Sequence, residues 1–424
     1  RIKISNVTLD CQGYTITYGL DGEADNGVRL AYGEQNMTVR NCRIIDGNWT
    51  TAEVNRHGIS LSVDSNNSTL TNNFVNVSAG RAIYLYESHS NTINNNRLWS
   101  DTNYALMLYN ASNNLIIANN ITTRANDALS ISTQSTYNNI TNNNFSGWPG
   151  IGVVASHHNI FTDNKAYGSG GAALTLSSQA TNNTFIRTNL TGAVYGINFN
   201  EGTDTTIQDC TAVSGGTNDV YVNSANTNTN NTILNCSYVD ENVGGAGNDL
   251  IRQWYLDVHV QNETGVVESA NVSLYNNTGD MTYSQLTDSG GAITRQRITE
   301  YVNTGGTTTY YNNYLIYGNK TGYKNDSRSL NFTNSQNTNI TLILARDWSA
   351  PVITWEEPPT PTDGASTTND YVTLNTTITD DGETSAWFDW NDSLVGYWSF
   401  DNYNSTHVYD NSTRSNHARF TGGL

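Results

Sequence analysis

The sequence predicts an all-β protein: a right-handed parallel β-helix over residues 1–247, followed by one or two small β-sandwich (Ig-like) domains. Three observations carry the prediction. Of 424 residues, 36% are hydrophobic and 14% charged, and the uncharged polar remainder comes with 35 Gly and 25 Tyr. That balance is poor in the Ala, Leu, Glu and Lys of helical bundles and suits pleated, half-buried surfaces. A short Gly/Ala–apolar–x–apolar strand recurs at steps of 22 to 24 residues, and an Asn-rich corner recurs with it.

The beat is set by Ile59, Ile83, Leu106, Leu129, Ile151, Leu174, Ile197 and Val220. An earlier member, Val28-Arg29-Leu30, precedes Ile59 by 31 residues, so that coil carries a longer loop. Two short strands per period mean one coil per repeat. Such a coil cannot bury its own apolar residues; stacking at about 4.8 Å buries them as internal ladders. Ile83, Leu106, Leu129, Ile151, Leu174, Ile197 and Val220 form the first expected ladder. Leu70, Ile93, Ile116, Ile140, Ile160, Phe185, Ile207 and Ile233 form the second. The corner Asn residues tolerate left-handed backbone angles, and their amides are placed to bond the Asn above and below. Cys42, Cys210 and Cys236 each follow a ladder residue by three positions, and Cys11 lies one coil from Cys42. Two disulfides at the helix ends, or stacked buried thiols, both fit this register.

The charge is 20 basic against 38 acidic residues, a net −18. An acidic surface repels nucleic acid and anionic membranes, so neither is expected as a partner. No apolar run approaches the roughly 18 residues of a membrane span. The chain opens at Arg1 without an initiator Met, and Ile2–Val7 already reads as strand, which points to a processed or partial chain. N-x-S/T acceptors crowd the sequence: Asn6, Asn36, Asn48, Asn76, Asn110, Asn120, Asn144, Asn189, Asn262, Asn271, Asn331, Asn375 and Asn404. An Asn/Thr-rich composition makes some by chance. Together with the acidity and scarce Lys they predict an extracellular cell-surface protein, archaeal or bacterial, carrying N-linked glycans.

Residues 1–245 resemble the parallel β-helix repeat proteins, including carbohydrate-binding and sugar-hydrolase types. Asn6-Val-Thr-Leu-Asp-Cys-Gln-Gly-Tyr-Thr-Ile16 is similar to the usual opening coil of that group. The resemblance implies the fold. It leaves function open, because the fold hosts lyases, hydrolases, epimerases, adhesins and structural proteins.

A hydrolase needs paired carboxylates. No Asp-Asp pair and no Asn-x-Asp strand motif precedes residue 240, and Asp101, Asp127, Asp163, Asp204 and Asp209 read as scattered corners. Arg56-His57-Gly58 and Arg81 sit one coil apart, with Glu87 and His89 nearby; this is either a cluster for an anionic sugar or a solvated loop edge. Tyr84, Tyr86, Trp99, Tyr104 and Tyr109 either line a sugar groove or simply cover coil edges. His157-His158 lacks a third metal ligand. The reading therefore assigns no catalytic, cofactor-binding or metal residue.

After Gly244-Gly-Ala-Gly247 the beat stops. Residues 248–346 hold short strands at hairpin spacing. Gly265-Val-Val, Ala270-Asn-Val-Ser-Leu-Tyr275, Thr287-Asp-Ser-Gly-Gly291 and Gly322-Tyr323 resemble carboxypeptidase-regulatory-like domains, which implies a spacer without catalytic residues. Residues 347–392 combine a stiff Glu356-Glu-Pro-Pro-Thr-Pro361 linker with an Ig-like strand, Tyr371–Ile378; Asp380, Asp381 and Glu383 read as an exposed turn, with structural calcium as the alternative. Within 393–424, Ser393–Asp401 and Tyr409–His417 resemble the opening of a laminin-G or concanavalin-like domain. The function expected is a structural or adhesive surface glycoprotein, a subunit of a layer, sheath or filament, assembling with copies of itself and not an enzyme. The alternative is a polysaccharide-binding or polysaccharide-cleaving β-helix protein, with carbohydrate as its partner.

Overall fold

The computed structural model describes residues 1–20, 25–47, 56–332 and 337–347, with shorter stretches between 352 and 419. Every named element is a β-strand. Up to about residue 250 the chain is a parallel β-helix with three strands per coil. One coil runs Ile83–Tyr86, Thr92–Asn94 and Arg97–Ser100; the next runs Leu106–Tyr109, Leu115–Ile117 and Asn120–Thr123. Corresponding strands stack in parallel into a first, a second and a third sheet.

The first ladder pairs as expected from Ile83 through Leu106, Leu129, Ile151, Leu174 and Ile197 to Val220. The second ladder differs at one rung: Ile140 pairs with Phe161, which pairs with Phe185, while Ile160 is 47% exposed. The third sheet was absent from the two-strand reading. It inserts Ile44, Val75, Leu98, Ile121, Phe145, Ala166 and Leu190 into the core. Its other inward position is Ser100, Thr123, Gly147 or Gly168 in successive coils, so the alternation that advertises a strand is half erased.

The corners divide the expected work of Asn between two neighbouring residues. Asn72, Asn95 and Asn142 take left-handed φ of 55°, 55° and 57°. The residues after them, Asn73, Asn96 and Asn143, are buried. The N–H of Asn73 donates to Asn96 Oδ1 at 2.9 Å, that of Asn96 to Asn119 Oδ1 at 2.8 Å, and that of Asn119 to Asn143 Oδ1 at 2.8 Å. A parallel ladder runs through Asn91, Asn114, Asn138, Asn159 and Asn183. Buried backbone donors at bends need such partners. The second Asn ladder also explains the shifted rung. The inward residue stands two positions after the buried Asn, as Ile140 follows Asn138, and Phe161 likewise follows Asn159. Cys11 is bridged to Cys42, and Cys210 to Cys236. Cys42 stands in the Asn ladder's place, its N–H donating to Asn73 Oδ1 at 3.1 Å.

The chain divides into two compact units. The first is 1–256 with 295–313 and 331–338; the second is 257–294, 314–330 and 339–424. The division differs from a boundary at 247. Asp249–Gln261 begins as another parallel strand of the second sheet, with Ile233 opposite Arg252. On its other edge Gln296–Thr304 and Thr307–Tyr310 add an antiparallel hairpin. The alternation of the Asp249 strand is compatible with either kind of partner, so its pattern could not assign it. In the second unit, Asn271–Tyr275, Met281–Leu286, Tyr314–Asn319 and Asp326–Leu330 form an antiparallel four-stranded sheet. Further small strand pairs follow, among them Val352–Trp355 with Thr376–Thr379 and Ala386–Trp390 with Ser393–Trp398. Asp380, Asp381 and Glu383 lie outside the described residues.

Candidate functional site on the first sheet

Small and large side chains alternate in blocks along the outer face of the first sheet. Two rows matter. The positions two before the ladder carry His57, Arg81, Tyr104 and Asp127 in successive coils. The positions one after it carry Arg29, Ser60, Tyr84, Met107, Ser130, Gly152, Thr175, Asn198 and Tyr221.

The large residues form a wall. The Arg81 guanidinium lies 4.4 Å from the Tyr84 ring centre and 5.9 Å from that of Tyr104. Its Nε donates to Met107 Sδ at 2.9 Å, so the charged end leans along the helix towards the next coils. His57 packs edge-on to Tyr84 at 4.9 Å, and its Nδ1 accepts the Arg81 N–H at 3.3 Å. Tyr86 stacks on Tyr109 at 5.4 Å. On one side of this wall Ser60 and Ser62 floor a notch of about 300 Å³ between Arg29 and Tyr32 and the Tyr84–Tyr86 pair. On the other side the outward positions are the small residues Ser130, Ser132, Gly152 and Thr175, a low stretch of the face read as a trough. It ends at a second wall, where Tyr195 and Tyr221 stack at 4.5 Å. Four coil steps separate Met107 from Asn198, roughly 19 Å at the usual strand spacing.

Asp127 stands in that trough, half-buried. Its carboxylate folds over Gly152, where a Cβ would collide with it. Burial is the main cause that pushes its carboxyl up to about 7, against a bond from Ser130 that favours the charged form. Burial, reinforced by the Arg81 charge, pushes the His57 imidazole down to about 3, so it is neutral at ordinary pH. Burial also raises Tyr104 and Tyr84, which stay protonated phenols.

The face gathers His57, Arg81, Tyr84, Tyr86, Tyr104 and Tyr109 from the sequence candidates and leaves others out. Arg56 is fully buried and pairs with the equally buried Asp46 at 3.5 Å; it is part of the interior, not of a sugar-binding edge. Trp99 belongs to the third sheet, with Arg124 5.6 Å from its ring. Glu87 occupies a left-handed corner. His89 is tied into a corner, its Nδ1 accepting the Ser112 N–H at 3.0 Å. His158 stacks on Tyr137 at 5.1 Å. Asp101 and Asp163 pair with Arg124 and Arg187, at 3.1 and 2.6 Å, and Asp209 accepts the Tyr255 hydroxyl at 3.2 Å. Asp127 is thus the functional candidate that sequence reasoning passed over. A signal was present: it precedes Leu129 by two, as His57, Arg81 and Tyr104 precede Ile59, Ile83 and Leu106.

Among the sequon residues, Asn6, Asn36, Asn120, Asn144, Asn331, Asn375 and Asn404 are exposed. Asn76, Asn110, Asn189, Asn262 and Asn271 are half-buried, and Asn48 lies outside the described residues. Among the described residues no helix is long and apolar enough to cross a membrane.

A family model described as periplasmic copper-binding protein (NosD) matches residues 5–147, and one described as right handed beta helix region matches 127–248. No curated protein matches the chain. Among solved structures, a point mutant of the periplasmic alginate epimerase AlgG is 12% identical, over 50% of this chain and 66% of its own, with a TM-score of 0.36. PfbA, a surface adhesin of Streptococcus pneumoniae, is 10% identical over 68% and 86%, with a TM-score of 0.38. The catalytic domain of a GH87 alpha-1,3-glucanase is 13% identical over 55% of each chain, with a TM-score of 0.28. These likenesses are of fold. They also correct the expectation that the chain is not an enzyme, since epimerases, a glucanase catalytic domain and an enzymatically active tailspike domain stand among its neighbours. Among the described residues no His, Cys, Asp and Glu cluster fits the copper named in the family description. All four cysteines are in disulfides, and no three His, Cys, Asp or Glu converge among the described residues.

Proposed function

We propose that the chain is an extracellular polysaccharide-acting β-helix protein whose working surface is the outer face of the first sheet. One observation carries the reading: Arg81, Tyr84, Tyr86, Tyr104, Tyr109 and Asp127 come from consecutive coils onto a single open wall and trough. Phenols offer an apolar ring and a polar tip, which is what sugar rings and hydroxyls require. An arginine offers a fork for carboxylate or sulfate groups. A trough several coils long suits a polymer better than a monosaccharide. The self-assembling structural subunit has less support, because nothing in a rigid strut calls for a carboxyl held at this position. The C-terminal sheets are read as spacer modules of carboxypeptidase-regulatory-like, Ig-like and laminin-G-like type. Glycans at the exposed sequons belong to the same extracellular proposal.

Affinity electrophoresis of the whole chain through gels containing individual polysaccharides tests this. Retardation in at least one gel is expected, and Tyr84→Ala or Arg81→Ala should weaken it by about tenfold, the loss of roughly 1.4 kcal/mol of contact. Unretarded migration across a broad panel of neutral and acidic polymers sinks the reading.

A further inference from the structure

Arg81, Tyr104 and Asp127 occupy the same position in three consecutive coils: a cation, a phenol and a carboxyl in line along the helix axis. Arg81 leans over Met107 towards the other two. Among the described residues Asp127 is the one carboxylate in the two outward rows, whereas glycoside hydrolysis uses two. Gly152 makes room for its carboxyl on the outer face of the sheet. A lone base, a neutral phenol and a carboxylate-binding guanidinium are the set for removing a proton beside a carboxylate.

We propose, resting on the polysaccharide reading above, that the trough takes uronate-bearing polymers and cleaves them by β-elimination. Arg81 pairs with the uronate carboxylate and draws off its charge. The Asp127 carboxylate takes the proton from the ring carbon bearing that carboxylate. The freed electron pair forms a double bond to the adjacent ring carbon, whose bond to the glycosidic oxygen breaks. Tyr104 gives its phenolic proton to the departing oxygen. Asp127 then loses its proton to water and Tyr104 regains one, so no further reactant is consumed. Among the described residues, Tyr104 in the preceding coil faces both Asp127 and Arg81, and Ser130 bonds the Asp127 carboxyl. Since the base acts ionised, turnover rises with pH through about 7.

The test uses the whole chain with polygalacturonate, mannuronan and glucuronan, and with neutral galactan and glucan. Three readouts are taken: gel retardation, ultraviolet absorbance of the new conjugated double bond, and new reducing ends. The expected result is preferential retardation by a uronate polymer, with absorbance and reducing ends rising together. Asp127→Asn should lower the rate by at least about 100-fold, and Tyr104→Phe by a smaller factor, each by more than it weakens retardation. Equal retardation by neutral and uronate polymers overturns the uronate assignment and leaves the glycan-binding face standing. Reducing ends without absorbance, or uronate binding without either product, overturns the elimination. Retardation by none of the polymers removes the underlying reading itself.

Discussion

Replacing Asn119 by Ala probes what holds the coils in register. Its side chain is 2% exposed. Its Oδ1 accepts the Asn96 N–H at 2.8 Å and Asn96 Nδ2 at 3.0 Å. Its Nδ2 donates to Ile93 O at 2.8 Å, Ile117 O at 3.0 Å and Asn143 Oδ1 at 3.0 Å. Truncation leaves the buried Asn96 N–H without this acceptor, at about 1–3 kcal/mol, and removes amide bonds worth about 1 kcal/mol each net. A loss of about 3–5 kcal/mol follows. The neighbouring Asn95 is the control. It is exposed at φ 55°, a conformation glycine adopts freely, so Asn95→Gly should change stability by no more than about 0.5 kcal/mol. Because stacked repeats need not unfold all at once, amide hydrogen exchange at coils 92–123 should accompany urea denaturation. If Asn119→Ala costs no more than Asn95→Gly, and exchange near Asn96 stays slow, the ladder does not carry the corners.

The register of the second sheet predicts that Phe161→Ala, which removes a fully buried ring stacked 4.2 Å from Phe185, lowers stability by about 3–5 kcal/mol. Ile160→Ala should cost under about 1 kcal/mol, and the reverse order in denaturant melts would restore the sequence-based register. Cys210→Ser with Cys236→Ser opens a bridge spanning 26 residues and should cost about 2–4 kcal/mol, read as a lowered melting temperature that reductant shifts further only through Cys11–Cys42. Asp127 has a folded pKa near 7, above the unfolded value, so its burial penalises folding increasingly as pH rises from about 4 through 7. Asp127→Asn should therefore stabilise the chain at pH 8 and have little effect at pH 3; an equal gain at both would contradict a buried, desolvated carboxyl.

Much of the solenoid was legible because its chemistry is local and repeated. Leu106, Leu129 and Leu174 announce their inward position by period alone, and the buried Asn ladders could be anticipated because an amide stacked on an amide satisfies itself. Ile160-Phe161 was not decidable by hydrophobicity, since both residues are apolar; the hydrogen bonds of Asn159 chose between them. The third strand escaped because Ser100, Thr123 and Gly147 blunt its alternation. Of the site, the tyrosines and Arg81 were visible as residue types. Trp99 and Arg56 were wrongly grouped with them because adjacency in sequence says nothing about which of three faces, or the interior, a side chain reaches.

By itself the sequence determined the all-β class, the coil period and the first ladder, since these follow from repeated short-range patterns that hold wherever the coils stack. Only the tertiary structure decided that Asp127 stands in line with Tyr104 and Arg81, that Gly152 leaves room for its carboxyl, and that Gln296–Tyr310 joins the helix rather than the sheets after it. Those facts depend on residues brought together from different coils. Desolvation and strand pairing act on that spatial neighbourhood, not on the order of residues along the chain.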